Sequence, residues 1–156
     1  MTDFESLISD FAAQTGVKPP QEGKDSLDLV ADGMVVSVLH RRERRDCVIF
    51  TLPLDDEPVS PAMMRRALEL DANGDGTGGH FLGVKAGMFV LSAILPLEGL
   101  TAEAFGKRML SLAAAARTVA QELALATVEM VGGAADAGGG AADDDSPDTL
   151  QAFMRV

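Results

Sequence analysis

The sequence predicts an α+β fold, an antiparallel twisted sheet with three helices in the order α-β-β-β-α-β-β-α. Three observations point to it. Apolar residues recur at helical spacing in three segments, near the start, the middle and the last third of the chain. Between those segments lie short runs rich in β-branched and aromatic residues, bounded by Gly and Pro. The connections within each group of runs are too short for parallel crossovers, so neighbouring strands must be antiparallel.

Thr2 followed by Glu5 reads as a capping box, and Phe4, Leu7, Ile8, Phe11 and Ala12 then recur on one helical face, which predicts a helix over about residues 3–15. "GVKPPQEGKD" ends it, because consecutive prolines cannot continue a helix. "SLDLVADG", "MVVSVLHR" and "DCVIFTLPL" follow as a three-strand meander, broken at Gly33 and at the arginine-rich stretch 40–46. Ser60 and Pro61 are an N-cap and a first-turn proline for "PAMMRRALEL", whose Met63, Met64, Ala67 and Leu68 share one side. A Gly-rich turn then feeds two more strands, "HFLGVKA" and "MFVLSAILPL", joined through Gly87. Thr101 caps the last helix, where Phe105, Met109, Leu112, Ala116, Val119 and Leu123 keep a continuous stripe to about residue 129. Residues 1–131 are thus expected to form one domain. Residues 132–156 read as a flexible Gly/Ala/Asp-rich tail that regains apolar character only in its final residues.

Composition narrows the function. A chain of 156 residues is long enough to bury a core unaided. It carries no uncharged apolar run of bilayer length, and its first residues include acids but no basic segment, so the expectation is a cytoplasmic protein with neither membrane span nor signal peptide. Cys47 is the single cysteine, which excludes an internal disulfide or a Cys-built zinc cage and suggests a small buried hydrophobe in a strand. A formal net charge of −11 opposes phosphate binding and so argues against nucleic acid as a partner. Arg41, Arg42, Arg44 and Arg45 read as a solvated hairpin end.

Chemistry is sparse. His40 and His80 lie far apart in the sequence without companion motifs, and the acids at 55–57 stand where they would favour a helix dipole. No Walker loop, dinucleotide fingerprint or zinc helix is present. No catalytic residue, cofactor or metal site is therefore assigned, and the chain is read as a non-enzyme. "DANGDGTGG" tests that reading, because Asp71, Asn73, Asp75 and Gly76 match the first half of a calcium loop. The twelfth position, which should be a bidentate glutamate, is Leu82, and the residues beyond it read as strands rather than an exiting helix. The stretch is read as a turn built on glycine φ and short polar side chains. A calcium-binding regulator using residues 71–77, or a small enzyme of unrecognised type, are the competing readings.

The strands do not alternate as a half-wetted antiparallel sheet should. Val36 and Val38 point one way while Val35 and Leu39 point the other, and Ile49 opposes Val48, Phe50 and Leu52. With both faces apolar, either the helices divide over both faces or a partner covers what they leave.

The segment "ALELDANGDGTGGHFLGVKAGMFVLSAILPLEGLTAEAF", residues 67–105, joins a short helix ending in Leu, a "GTGG" turn, an "LG" strand, a strand ending "LPL" and the last helix. With the order of elements over residues 3–129, it resembles the class I type III secretion chaperones, the Tir-chaperone-like family. Asp71 stands where that family more often has asparagine, and the tail lies outside the pattern. The resemblance implies a homodimer, formed partly through the short helix, that binds an N-terminal segment of a secreted effector without ATP and keeps it secretion-competent. On that reading Met63, Met64, Ala67 and Leu68 are the expected dimer interface. Phe4, Ile8, Val35, Leu39, Val48 and Phe50 are the expected effector contacts, on the first helix and the meander, whose open edge could accept an added strand.

Overall fold

The computed structural model describes residues 3–18, 24–43, 46–54, 59–72 and 74–133. Its elements are α1 (Phe4–Thr15), β1 (Ser26–Ala31), β2 (Met34–Arg41), β3 (Cys47–Pro53), α2 (Pro61–Asp71), β4 (Phe81–Lys85), β5 (Met88–Pro96) and α3 (Ala102–Gly133). Arg44, Arg45, the acids at 55–57, Asn73 and the whole of 134–156 lie outside the described residues.

α1 is capped by Asp3, while Thr2 of the expected Thr2–Glu5 box lies outside the described residues. The Asp3 carboxylate accepts from the Ser6 amide at 2.8 Å and from its hydroxyl at 3.1 Å, bonds that hold its pKa below the usual carboxylate value. Gly16, at φ +74°, closes the other end and donates its N–H to the Ala12 carbonyl. α2 opens as predicted, with the Ser60 hydroxyl accepting from the Met63 amide and Pro61 in the first turn. α3 continues through Gly132 and Gly133, two residues into the stretch expected to be tail.

The five strands form one antiparallel sheet in the order β1-β2-β3-β5-β4. α2 carries the chain from β3 past β5, so β4 returns on the outer side of β5. All three helices lie on one face. Paired residues share a face, and the register links Leu29–Val36, Val38–Phe50, Phe50–Ala93, Leu52–Leu91 and Val84–Phe89. All but Val84 are buried, and they make up the sheet side of both apolar cores. The larger core sets them against Leu7, Ile8 and Phe11 of α1 and Phe105, Leu112 and Ala116 of α3. The smaller core gathers Met63 and Ala67 of α2, Phe89 of β5, and Val119 and Leu123 of α3. The alternative of helices on both faces is thereby excluded for the described residues.

Two of the three hairpins in the sheet, β1–β2 and β4–β5, turn on two left-handed residues, Asp32–Gly33 and Ala86–Gly87. The first is pinned to α3, because Arg117 donates to the Asp32 carboxylate at 2.6 Å and to its carbonyl at 2.5 Å. In the second, Ala86 holds φ +52°, where a Cβ costs about 1–2 kcal/mol. Ala86→Gly should raise stability by about 0.5–1 kcal/mol once the extra freedom of glycine in the unfolded chain is deducted. Urea unfolding at fixed pH measures it, and an unchanged or lower midpoint contradicts the expectation.

Candidate functional site

The face of the sheet opposite the helices carries the surplus apolar surface, and the register arranges it in rows across the strands. Leu39 pairs with Ile49 and Ile49 with Ile94. Two residues along each strand runs a polar row, Asp28–Ser37–Thr51–Ser92, which ends at Phe81 on β4. Two residues further lies a second apolar row, in which Val30 pairs with Val35. At about 3.4 Å per residue the two apolar rows stand about 14 Å apart, with short hydroxyl side chains on the floor between them. Ser37 donates to Asp28 at 2.7 Å and closes the floor at the β1 edge.

This face is open. Val30, Val35 and Ile94 are 71%, 55% and 50% exposed, Leu39 is 39% and Phe81 62%. Five large apolar side chains exposed on one face of one sheet exceed the scattered apolar residues of an ordinary surface. β1 and β4 each pair on one side only within the described residues, so both edges offer unpaired backbone groups.

The expected effector contacts divide across the sheet. Val35 and Leu39 lie on the open face. Phe4, Ile8, Val48 and Phe50 are at most 3% exposed and form the interior, so they cannot touch a partner without unfolding. The physical reason is register: Leu39 pairs with Ile49, which sends Val48 and Phe50 to the opposite face. Val30, Ile94 and Phe81 share the open face with Val35 and Leu39 and were not among the expected contacts. The alternation of β2 would have pointed to them had its pairing with β3 been readable.

The α2 set divides in the same way. Met63 and Ala67 are buried against α3, whereas Met64 and Leu68 are 37% and 66% exposed. Between the two faces Arg66 bridges Glu69 at 3.0 Å and Glu122 of α3 at 2.5 Å, and these acids raise its pKa.

The remaining sequence candidates take structural places. His40 is buried at the end of β2, stacked on Phe4 with ring centres 4.7 Å apart. Its Nε2 lies 2.6 Å from Asp46 and its Nδ1 3.4 Å from Asp25, which also receives Arg42 at 2.9 Å. Cys47 is half-buried and paired with Pro96, not enclosed as expected. The Gly-rich stretch leads into a strand, β4, and Leu82 at its twelfth position is half-buried. Gly74, Gly78 and Gly79 hold left-handed φ, and the Gly79 amide donates to the Gly74 carbonyl at 2.9 Å. A Cβ on Gly76 would stand 2.9 Å from the Leu70 carbonyl oxygen, so this position admits only glycine. Among the described residues no three His, Cys, Asp or Glu side chains converge as a metal would need, and no helix is long and apolar enough to cross a membrane.

The fold has solved relatives. One chain of the HopA1-SchA chaperone-effector complex superposes with a TM-score of 0.59 at 17% identity, covering 76% of this chain and 93% of that one. One chain of the ExsC-ExsE complex superposes with a TM-score of 0.64 at 18% identity, covering 78% and 96%. At such identities the likeness is one of fold. No curated protein matches the sequence significantly. The profile of the Tir chaperone protein (CesT) family matches residues 6–120, a span that runs from the first turn of α1 through all five strands and into α3. By that match the chain belongs to the Tir chaperone protein (CesT) family.

Proposed function

We propose that the chain is a cytoplasmic type III secretion chaperone that works as a homodimer and carries an N-terminal segment of a secreted effector on the open face of its sheet. The observation behind this reading is a five-stranded sheet clothed by helices on one side and apolar in rows on the other. A surface of that kind demands a cover, and family membership makes an unfolded effector segment the fitting one. The solved relatives support it, since one is a chaperone-effector complex and the other a two-protein complex. An extended segment can join the β1 edge through main-chain bonds while apolar side chains settle beside Val30, Val35 and Leu39. The net charge of −11 keeps such a surface dispersed between clients.

Self-association is assigned to α2 through Met64 and Leu68, the half of the expected set that faces solvent. A short helix with an exposed methionine is an adaptable apolar contact, and a two-fold axis would set it against its own copy. Met64→Glu with Leu68→Glu should give a folded monomer, because both side chains lie outside the core. Light scattering at the dimer mass would refute the assignment. The reading as a whole is tested by purifying the chain from its own cytoplasm and identifying the bound polypeptides. A secreted protein captured through its N-terminal region is expected, and recovery of the chain with no such protein, under conditions where it is secreted, overturns the proposal.

A further inference from the structure

His80 sits where the Gly-rich turn after α2 enters β4, and it is 3% exposed. Its Nε2 lies 3.3 Å from the Ser111 hydroxyl on α3, while its Nδ1 is buried without a hydrogen-bond partner. Arg108, one turn earlier on α3, has its Nε buried and equally unpartnered. The turn presses on the helix at other points too. Thr77 is wholly buried, its hydroxyl donating to the Gly74 carbonyl at 3.2 Å, and a Cβ on Gly78 would stand 3.4 Å from that of Ala115. Among the described residues the His80–Ser111 contact is the side-chain hydrogen bond that joins turn to helix.

We propose that His80 is a proton-operated latch, which closes the 74–80 turn onto α3 when the imidazole is neutral and opens it when the ring takes up a proton. In the neutral ring one nitrogen engages Ser111, and in the tautomer protonated at Nε2 the unpartnered Nδ1 is a lone pair with no proton to place. Protonation makes both nitrogens donors, leaves the Nδ1 proton with no acceptor and sets a positive charge beside Arg108. Among the described residues no carboxylate is paired with it. β4 contributes Lys85 alone, at its far end, and on α2 Arg66 is engaged by Glu69 and Glu122. The turn's own acids, Asp71 and Asp75, are exposed, and Asp71 accepts from the Leu82 amide at 3.5 Å. Burial lowers the His80 pKa, the Arg108 charge lowers it further, and the Ser111 contact pulls it partly back.

The docked turn therefore resists protonation more than the released one. Docking stands at full strength above the ordinary histidine value of 6.5 and weakens as pH falls below it. In the interval between the released and docked values the opening constant rises by up to about tenfold per pH unit. Release would slacken the tether between α2 and β4 while the meander β1–β3 stays formed. This inference does not depend on what the chain binds.

The test is amide hydrogen exchange on the full chain at about pH 7.5 and about pH 5.5, expressed as protection factors to remove the intrinsic pH effect. Protection of residues 77–82 should fall severalfold in acid while that of β1–β3 holds, and His80→Gln, which cannot take a charge, should abolish the difference. A wild type with constant protection at 77–82, or a His80→Gln variant showing the same fall, overturns the latch. Should His80→Gln not fold, proton NMR of the wild type decides alone, because the chain has two histidines. His80 must then titrate below 6.5 with the Thr77 and Ala115 resonances moving in step. Titration without movement of those neighbours is equally fatal.

Discussion

Val35→Asp and Ile94→Asp should each weaken effector binding roughly a hundredfold while leaving the chain folded. Both side chains are half or more exposed on the open face, so in the free protein a carboxylate there keeps its water and costs at most about 1 kcal/mol of strand stability. Once a client covers the face, the same carboxylate is desolvated with no cation opposite it. The penalty is about 3 kcal/mol, roughly a hundredfold in affinity. The measurement is calorimetric titration of each variant with the N-terminal segment of the captured effector, beside a thermal melt. A folded variant that binds at wild-type strength would move the site off this face, with the exposed Leu110, Leu125 and Val128 of α3 next to be examined.

Phe50→Ala should do the reverse, removing stability and reaching binding only through it. Phe50 is wholly buried and meets Phe105 edge to face, with ring centres 5.0 Å apart at 68°. Truncation leaves a cavity where β3, β5 and α3 meet, at a cost of about 3–5 kcal/mol. A domain of this size holds about 5–15 kcal/mol in total, so the variant stands near the edge of folding. Urea unfolding reads the loss directly. A change below about 1 kcal/mol would mean that Phe50 is not interior and that the two faces of the sheet have been exchanged.

The contrast between Val35 and Phe50 shows where sequence reading stops. Every element was legible, because Ser60–Pro61, Gly16, Gly33, Gly87 and the stripe from Phe105 to Leu123 are local signals needing no knowledge of the rest of the chain. The division of β2 into Val36 and Val38 on one side and Val35 and Leu39 on the other was legible too. What could not be read was how β2 meets β3, since with Val, Ile or Leu at both parities a slip of one residue leaves the pattern equally apolar. Two of the six expected effector contacts, Val48 and Phe50, fell into the core for that reason, and Phe4 and Ile8 joined them from the inner face of α1. The α2 set divided because an amphipathic helix of eleven residues with Met63, Met64, Ala67 and Leu68 side by side can turn either pair inward. The choice was made by Val119 and Leu123 on α3, more than fifty residues away in the chain. The Gly-rich stretch read correctly as a turn leading into a strand, but the burial of His80 beneath it had no sequence signal. The question of chemical class is answered by the family, which is one of chaperones, so the chain is not an enzyme.

α3 spans 32 residues, about 48 Å, and is the one helix present in both apolar cores. Its first half, through Ala116, closes the sheet, and Val119 and Leu123 beyond it hold α2. α2 itself rests on α3 and the β4–β5 hairpin, remote from the rows of β1 and β2. A load applied at Met64 and Leu68 therefore reaches Val30 and Val35 along a stiff helix or across three further strands, through packing that need not change. Two surfaces joined in that way have a small coupling free energy, so their association energies add. Were α2 and the open face filled as proposed above, each would fill according to the concentration of its own partner, and self-association would neither prime nor block the loading of a client.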